Sequence, residues 1–525
     1  IELQYDKELK GQDGLYSFDI DARRKTWRVK VEQPPVQGRS LILSIDKSIQ
    51  YIADRELAAG IREFRARAGT AIVMESETGR ILALSNYPQF NCNTYNKYKP
   101  GLWRNRAVSD IYEPGSTFKV VVATAALEEG LTKPHELIDC QMGSVAIGRH
   151  VFHDHKGYGL LSFSEILEFS SNVGAVKLAL RLGEKSLYEA LRNFGFGSKS
   201  GIDLPAESPG LVRDVSDWSK LSIGAISFGQ EVGVTSIQML TAVNAIANGG
   251  YRVRPSIVDR IIDEKGDLIR VRTPERVRLM SPRTAETVSR AFEGVILRGT
   301  GRKAALEGYR AAGKTGTAQK IVDGQYSRSK YVSSFVGFAP LPAPKITILV
   351  QIDEPTGAHY GGDVCAPIFR KIAEGTLFQL QIPPDPGLLP AETLSQIAES
   401  GSKDFLPDAT PVQPFGIPET DLEQPAPSSG TISIKLEGET IVLPDFQGLS
   451  KRTVLDRCMD LGLRLHSRGS GVAVFQSPPP GARVPSGTVC NVSFAKGNLK
   501  LYMAAAKTVY ETEREDAPPS DAEQP

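Results

Sequence analysis

Apolar residues recur at helical spacing from Lys47 to about Ala66, which predicts an amphipathic helix. Thr70–Met74 and Arg80–Ser85 are short apolar runs on either side of a Glu-Ser-Glu-Thr-Gly turn, a pattern that predicts a β-hairpin. Ser116–Glu129 (STFKVVVATAALEE) reads as a second helix, entered through the sharp Glu113-Pro114-Gly115 turn. An amphipathic run, Phe163–Phe169, and a helix over Val173–Leu182 bracket Ser170-Ser171-Asn172 at a loop tip. Tyr331–Phe338 and Ile346–Ile352 are rich in β-branched residues and predict strands. With Lys314–Thr317 they would extend an antiparallel sheet, giving a central sheet with helices on both sides.

The pattern also divides the chain. Residues 1–38 are strand-like and polar and end near Pro34-Pro35, and Leu41–Asp46 opens the body that follows. Residues 39–380 form that body, and residues 381–440, rich in Pro, Ser, Asp and Glu from Pro383 to about Gly430, read as a linker. Residues 441–496 read as a small unit with a helix over Ser450–Leu461 and turn clusters at Gln476–Gly481 and Pro485–Thr488. The remaining residues, 497–525, begin with a possible helix, Leu499–Glu513, and end in an acidic, Pro-rich tail.

Chemistry enters with three short motifs in order: Ser116-Thr117-Phe118-Lys119, Ser170-Ser171-Asn172 and Lys314-Thr315-Gly316-Thr317. A serine hydroxyl needs a base, an oxyanion hole and a proton path to the leaving group before it attacks an amide. Positions i and i+3 share one helix face, so Lys119 is expected over Ser116. The helix N-terminus adds positive dipole where an oxyanion would develop. Lys119 acts as a base only if its pKa falls toward neutrality, and burial and a second cation, Lys314, would each lower it. Ser170 can relay a proton, while Asn172 can hold a substrate amide and position Lys119. Gly316 would let a substrate backbone approach its strand, and the backbone N–H groups of Ser116 and Thr317 are candidate oxyanion donors. Ser171 reads as structural, and Asn172 has the alternative of simply capping the next helix.

These segments resemble the transpeptidase domain of penicillin-binding proteins, specifically the monofunctional class B group. The resemblance rests on Glu113–Lys119, Ser170–Gly174 and Gly313–Ala318, and on the flanks Ser227-Phe228-Gly229-Gln230-Glu231 and Phe335–Pro340. One tetrapeptide would say little; the ordered triple with its flanks is specific. It covers roughly residues 40–380. The implied fold is that of the penicillin-binding and serine β-lactamase-like enzymes, with an all-helical lobe beside the sheet and the active site between that lobe and the sheet's edge strand. The implied activity is D,D-transpeptidation of peptidoglycan stem peptides ending in D-Ala-D-Ala, through an acyl-enzyme on Ser116. Lys119 would be the base, Ser170 with Lys314 the proton path to the departing D-Ala, and Thr315 and Thr317 the holders of the donor carboxylate, assisted by the charge of Lys314. β-Lactams would acylate the same serine.

Val442–Gly448, the following helix and the two turn clusters resemble a PASTA module, whose part here is either to bind peptidoglycan or to pack on the enzyme. The opening Ile1–Leu9 resembles the end of the family's N-terminal pedestal, so residues 1–38 would be its remnant. The implied natural protein is single-pass in the inner (plasma) membrane, its anchor absent from this chain and its catalytic body outside the cytoplasm. The PASTA-like module and the opening segment look more like the division than the elongation group, and a sporulation relative would look much the same. The division reading implies septal cross-linking, with glycan-polymerising and cell-division membrane proteins as partners.

Composition alters little. The chain has 525 residues, enough for two or three domains, and 41% of them are hydrophobic. A net charge of +1 gives no reason to expect nucleic acid, and no apolar run reaches about 18 residues. The five cysteines, Cys92, Cys140, Cys365, Cys458 and Cys490, read as buried or free thiols, with a Cys458–Cys490 bridge as the alternative in an oxidising compartment. His153-Asp154-His155 lacks a further ligand set at metal spacing and reads as a loop near the site. The sequence implies neither metal nor cofactor. A D,D-carboxypeptidase would use the same residues with water as acceptor. A β-lactamase would need a deacylating glutamate, and no E-x-x-L-N segment stands between the second and third motifs. A non-catalytic peptidoglycan sensor or scaffold is the reading from another class, and the complete triad opposes it.

Overall fold

The computed structural model describes residues 1–20, 26–263, 266–388, 440–469, 472–485 and 487–495. Most of the expected linker and all of the expected C-terminal tail lie outside the described residues. The chain divides into two compact units, Ile1–Leu394 and Ser395–Pro525.

The first unit is built on a five-stranded antiparallel sheet. Helix α1 (Lys47–Glu63) leads into the hairpin of β1 (Ala68–Glu75) and β2 (Ile81–Tyr87). Asp46 caps α1 by accepting from the N–H groups of Ser48 and Ile49, and Ile49, Ala53, Leu57 and Ile61 form its buried stripe. Between hairpin and remaining strands come α2 (Lys119–Glu128), α3 (Phe163–Glu168), α4 (Asn172–Asn193), α5 (Ser236–Ala247) and α6 (Pro282–Leu297). Strands β3 (Ala312–Val322), β4 (Gln325–Ala339) and β5 (Ile346–Asp353) then complete the sheet in the order β3-β4-β5-β1-β2, and α7 (Ala366–Gln379) follows. Strand β5 lies inside the sheet, and its ITILV run is buried on both faces. Strand β3 is an edge, in register with β4 so that Lys314 faces Val336 and Thr317 faces Ser333.

Two apolar layers cover the sheet. One joins α1 and α7 to Val73, Ile348, Val350 and Phe335. The other joins α2, α4, α5 and α6 to Ile72, Val336, Phe338 and Leu349. Lys119 to Ala126 is buried without interruption, so α2 is enclosed by other helices rather than amphipathic. Two helices differ from their expected form. The Ser116 helix opens with a tight 3-10 turn, Gly115–Phe118, before becoming α-helical at Lys119. Helix α4 runs on to Asn193, past the end expected at Leu182, with Gly183 at positive φ interrupting it.

Residues 1–38 hold a hairpin of Leu15–Ile20 with Thr26–Gln33. In the second unit α8 (Lys451–Asp460), capped by Ser450, accompanies a sheet of β6 (Arg464–Gly469), β7 (Val472–Ser477) and β8 (Val489–Ala495). Strand β8 is central there, parallel to β6 and antiparallel to β7. Leu443, Phe446, Val454, Cys458, Cys490, Val492 and Phe494 form its core. Among the described residues no helix is long and apolar enough to cross a membrane.

Candidate active site

The 3-10 turn that carries Ser116 is braced from both ends. Gly115 sits at φ +57° and donates to the Gly229 carbonyl at 3.1 Å, and the Thr117 hydroxyl donates to the Pro114 carbonyl at 2.9 Å. Gly229 lies in the Ser227–Glu231 flank, whose Glu231 N–H donates to Glu113 Oε1 at 2.9 Å. The turn meets β3 closely. A Cβ on Gly316 would strike the Ser334 hydroxyl, the Pro114 carbonyl and the Thr117 methyl. Only a residue without a side chain fits at 316 against the serine turn.

Lys119 stands beneath Ser116, with Nζ 2.9 Å from Ser116 Oγ, 2.7 Å from Asn172 Oδ1, and 2.6 and 3.1 Å from the carbonyl and hydroxyl oxygens of Ser170. Carbonyl oxygens only accept, so Asn172 and the Ser170 carbonyl take two N–H bonds. A neutral amine in this position turns its lone pair toward the serine hydroxyls, the orientation a base requires. Burial pushes the Lys119 pKa down to about 7, against a smaller opposing effect of Asp154. Lys314 Nζ lies 2.9 Å from Ser170 Oγ, on the far side of that hydroxyl from Lys119. Burial, then the positive charge of Lys119, holds the Lys314 pKa well below the usual lysine range. The two amines share one hydroxyl partner, and the charge of either opposes the charge of the other.

Ser170 is a non-glycine residue at φ +61°. That conformation costs energy and persists where its surroundings fix it, and it aims the hydroxyl between the two amines. Ser171 caps α4 by accepting from the Gly174 N–H at 2.9 Å. The cap therefore belongs to Ser171, and the Asn172 side chain reaches Lys119. Thr315 and Thr317 alternate with Lys314 and Gly316 along β3. The Thr315 hydroxyl meets that of Thr300 at 2.7 Å, and Thr317 Oγ1 accepts from the Gly361 N–H at 3.0 Å. At the mouth, the His155 ring contacts that of Tyr360 with centroids 5.2 Å apart.

Sequence reasoning passed over Asp154 as a loop residue. Its carboxylate accepts from the Ser171 hydroxyl at 2.7 Å, from the Val173 N–H at 3.0 Å and from the Asn172 N–H, and the His153 carbonyl accepts from Asn172 Nδ2 at 2.9 Å. The first turn of α4 contains no acidic residue, so Asp154 supplies the negative charge that its N-terminus favours. An acid ahead of a helix start that lacks one was the available signal.

Residues 69–374 match the penicillin binding protein transpeptidase domain, a span that encloses the whole constellation. The chain belongs to the penicillin-binding protein transpeptidase family. Among curated members, stage V sporulation protein D of Bacillus subtilis is 36% identical over 392 residues, covering 73% of this chain and 61% of that protein. Penicillin-binding protein PbpB of Mycolicibacterium smegmatis is 35% identical over 405 residues, covering 74% of this chain and 62% of the relative. The chain thus spans less than two thirds of the length of these relatives. Among solved structures, penicillin-binding protein 3 of Mycobacterium tuberculosis complexed with ampicillin superposes with a TM-score of 0.66 at 32% identity, over 74% of this chain and 86% of that one. The first unit therefore has the penicillin-binding transpeptidase fold, an antiparallel sheet with helices.

Proposed function

We propose that this chain is the catalytic part of a class B peptidoglycan D,D-transpeptidase. One observation carries the reading: Lys119, with its pKa pushed down to about 7, lies 2.9 Å from Ser116 Oγ, while Ser170 stands between Lys119 and Lys314. Ser116 Oγ attacks the carbonyl of the penultimate D-Ala of a stem peptide, and its proton passes to Lys119. The N–H groups of Ser116 and Thr317 hold the oxyanion. As the C–N bond breaks, the departing D-Ala nitrogen takes a proton through Ser170, with Lys314 behind it. An amine of a neighbouring stem then attacks the ester, forms the cross-link and frees Ser116. Asn172 positions Lys119, and Thr315, Gly316 and Thr317 form the strand that receives the donor. β-Lactams enter the same path and remain as the ester; the M. tuberculosis relative's complexes with ampicillin and aztreonam support this.

The domain division proposed is a pedestal remnant over 1–38, the transpeptidase over 39–380, a linker over 381–440, a PASTA domain over 441–496 and a tail over 497–525. One helix beside a three-stranded sheet supports the PASTA assignment, and Thr440–Val442 with Arg483–Pro485 adds a two-stranded pair. The catalytic domain acts outside the cytoplasm on a membrane-anchored protein, and septal cross-linking with glycan-polymerising and division partners is the cellular role.

Intact mass after mixing with benzylpenicillin, beside Ser116→Ala, tests the reading. The expected result is one stable drug adduct on wild type and none on the variant. An adduct that turns over within seconds would make the protein a β-lactamase, and no adduct on folded wild type would leave a sensor or scaffold. Release of free D-Ala from a stem pentapeptide without cross-linked product would make it a carboxypeptidase.

A further inference from the structure

The two walls of the cleft are tied together behind it as well as across it. Glu168 ends α3, two residues ahead of Ser170, and its side chain is only 4% exposed. Its carboxylate accepts from Arg298 Nη2 at 2.6 Å and Nε at 3.3 Å, while its carbonyl accepts from the Thr300 N–H at 3.2 Å. Thr300 in turn meets the Thr315 hydroxyl at 2.7 Å. The packing is close: a Cβ on Gly294 would strike the Glu168 carboxylate, and one on Gly299 the Glu168 carbonyl. A chain of contacts thus runs from the Ser170 turn through Glu168, Arg298 and Thr300 to β3. Glu168 and Arg298 also line a cavity of about 600 Å³, together with His135, Arg283 and Arg290.

We propose that the Glu168–Arg298 pair is a positioning device, which fixes the separation of Ser170 and Lys314 by clamping the Ser170 turn to the segment that holds Thr315. This rests on the proposed roles of Ser170 and Lys314. A buried carboxylate with its partner removed is strongly unfavourable, so loss of Arg298 drives Glu168 outward and takes the end of α3 with it. Displacement of a relay hydroxyl by about 1 Å lowers a chemical step far more than it lowers ligand binding. Arg298 is the side to remove, because its side chain is 61% exposed and contributes little to the core.

The test is stopped-flow acylation of the full chain by benzylpenicillin, separating the acylation constant from the dissociation constant. For Arg298→Ala the acylation constant is expected to fall about tenfold with the dissociation constant unchanged. Arg298→Lys, which keeps the charge but not the two-point fork, falls in between. On a Ser170→Ala background, Arg298→Ala adds less than about twofold, because the clamp acts through Ser170. Glu168→Gln with Arg298→Ala removes the unpaired charge that drives the displacement and restores part of the acylation constant. An undiminished acylation constant in Arg298→Ala overturns the proposal, as does an equal loss on both backgrounds or a change confined to binding. Failure of wild type to acylate removes the underlying reading and this proposal with it; a fast wild type with an unaffected Arg298→Ala removes this proposal alone.

Discussion

The two compact units bury different things. In the second, the core is apolar side chains and two thiols, and among its described residues the buried polar side chain is Gln476, whose amide joins Phe446, Pro444 and Pro478. The first unit buries two lysines, Lys119 and Lys314, at 1% and 0% exposure, within hydrogen-bond reach of one serine. Burial of an amine opposes its charge, so the arrangement works against stability; it brings Lys119 to about 7 and holds Lys314 well below the usual lysine range. A small fold optimised for stability has no such pair; a site that moves protons needs one.

The largest effect expected from breaking this contrast is at Lys119. Lys119→Ala should lower benzylpenicillin acylation by about a thousandfold or more, leaving Ser116 without its base. In wild type the acylation rate should rise with pH through about 7, since only the neutral amine accepts the Ser116 proton. Stability should move the same way. The folded lysine releases its proton near 7 and the unfolded one near about 10.4, so between these values the unfolded state holds more protons and raising pH favours folding. Rate measurements from about pH 5.5 to 8.5 decide the matter; a flat profile would remove Lys119 as the base.

Asp154 sharpens the comparison at smaller amplitude. Its charge favours the ammonium form of Lys119 and also acts on Cys140 and Tyr158. Asp154→Asn should therefore shift the acid limb of acylation to lower pH. It should also slow the plateau about three- to tenfold, because an amide cannot accept from all three donors of the Ser171–Val173 turn. A slower plateau with an unmoved limb would make Asp154 purely structural.

The sequence was legible where the physics is local. Short apolar runs on either side of Glu75–Gly79 announced the β1–β2 hairpin, and the i, i+3 spacing was enough to suggest that Lys119 lies by Ser116. Long-range features were not legible. The position of Ser170 between two amines depends on strand β3 arriving from 144 residues away, and on a left-handed residue no propensity would choose. Asp154 and Glu168 were overlooked for a related reason. Each acts through backbone groups or an arginine distant in sequence, and such partners leave no spacing to read.

The smallest effect on activity is expected from the unit whose described residues bury no charge. Phe446 is fully buried in the second unit, and Phe446→Ala should cost about 3–5 kcal/mol, much of what a unit of this size possesses. The two units have separate apolar cores, so calorimetry of the full chain should show a lower-melting or lost transition for the second, with the transition of the first unmoved. Acylation should stay within about twofold of wild type, since Phe446 belongs to a core that shares no residue with those of the first unit. Parallel loss of acylation and of the first unit's transition would mean that the two fold as one, and the contrast between a core built for stability and a site built for proton transfer would then describe two parts of a single cooperative structure.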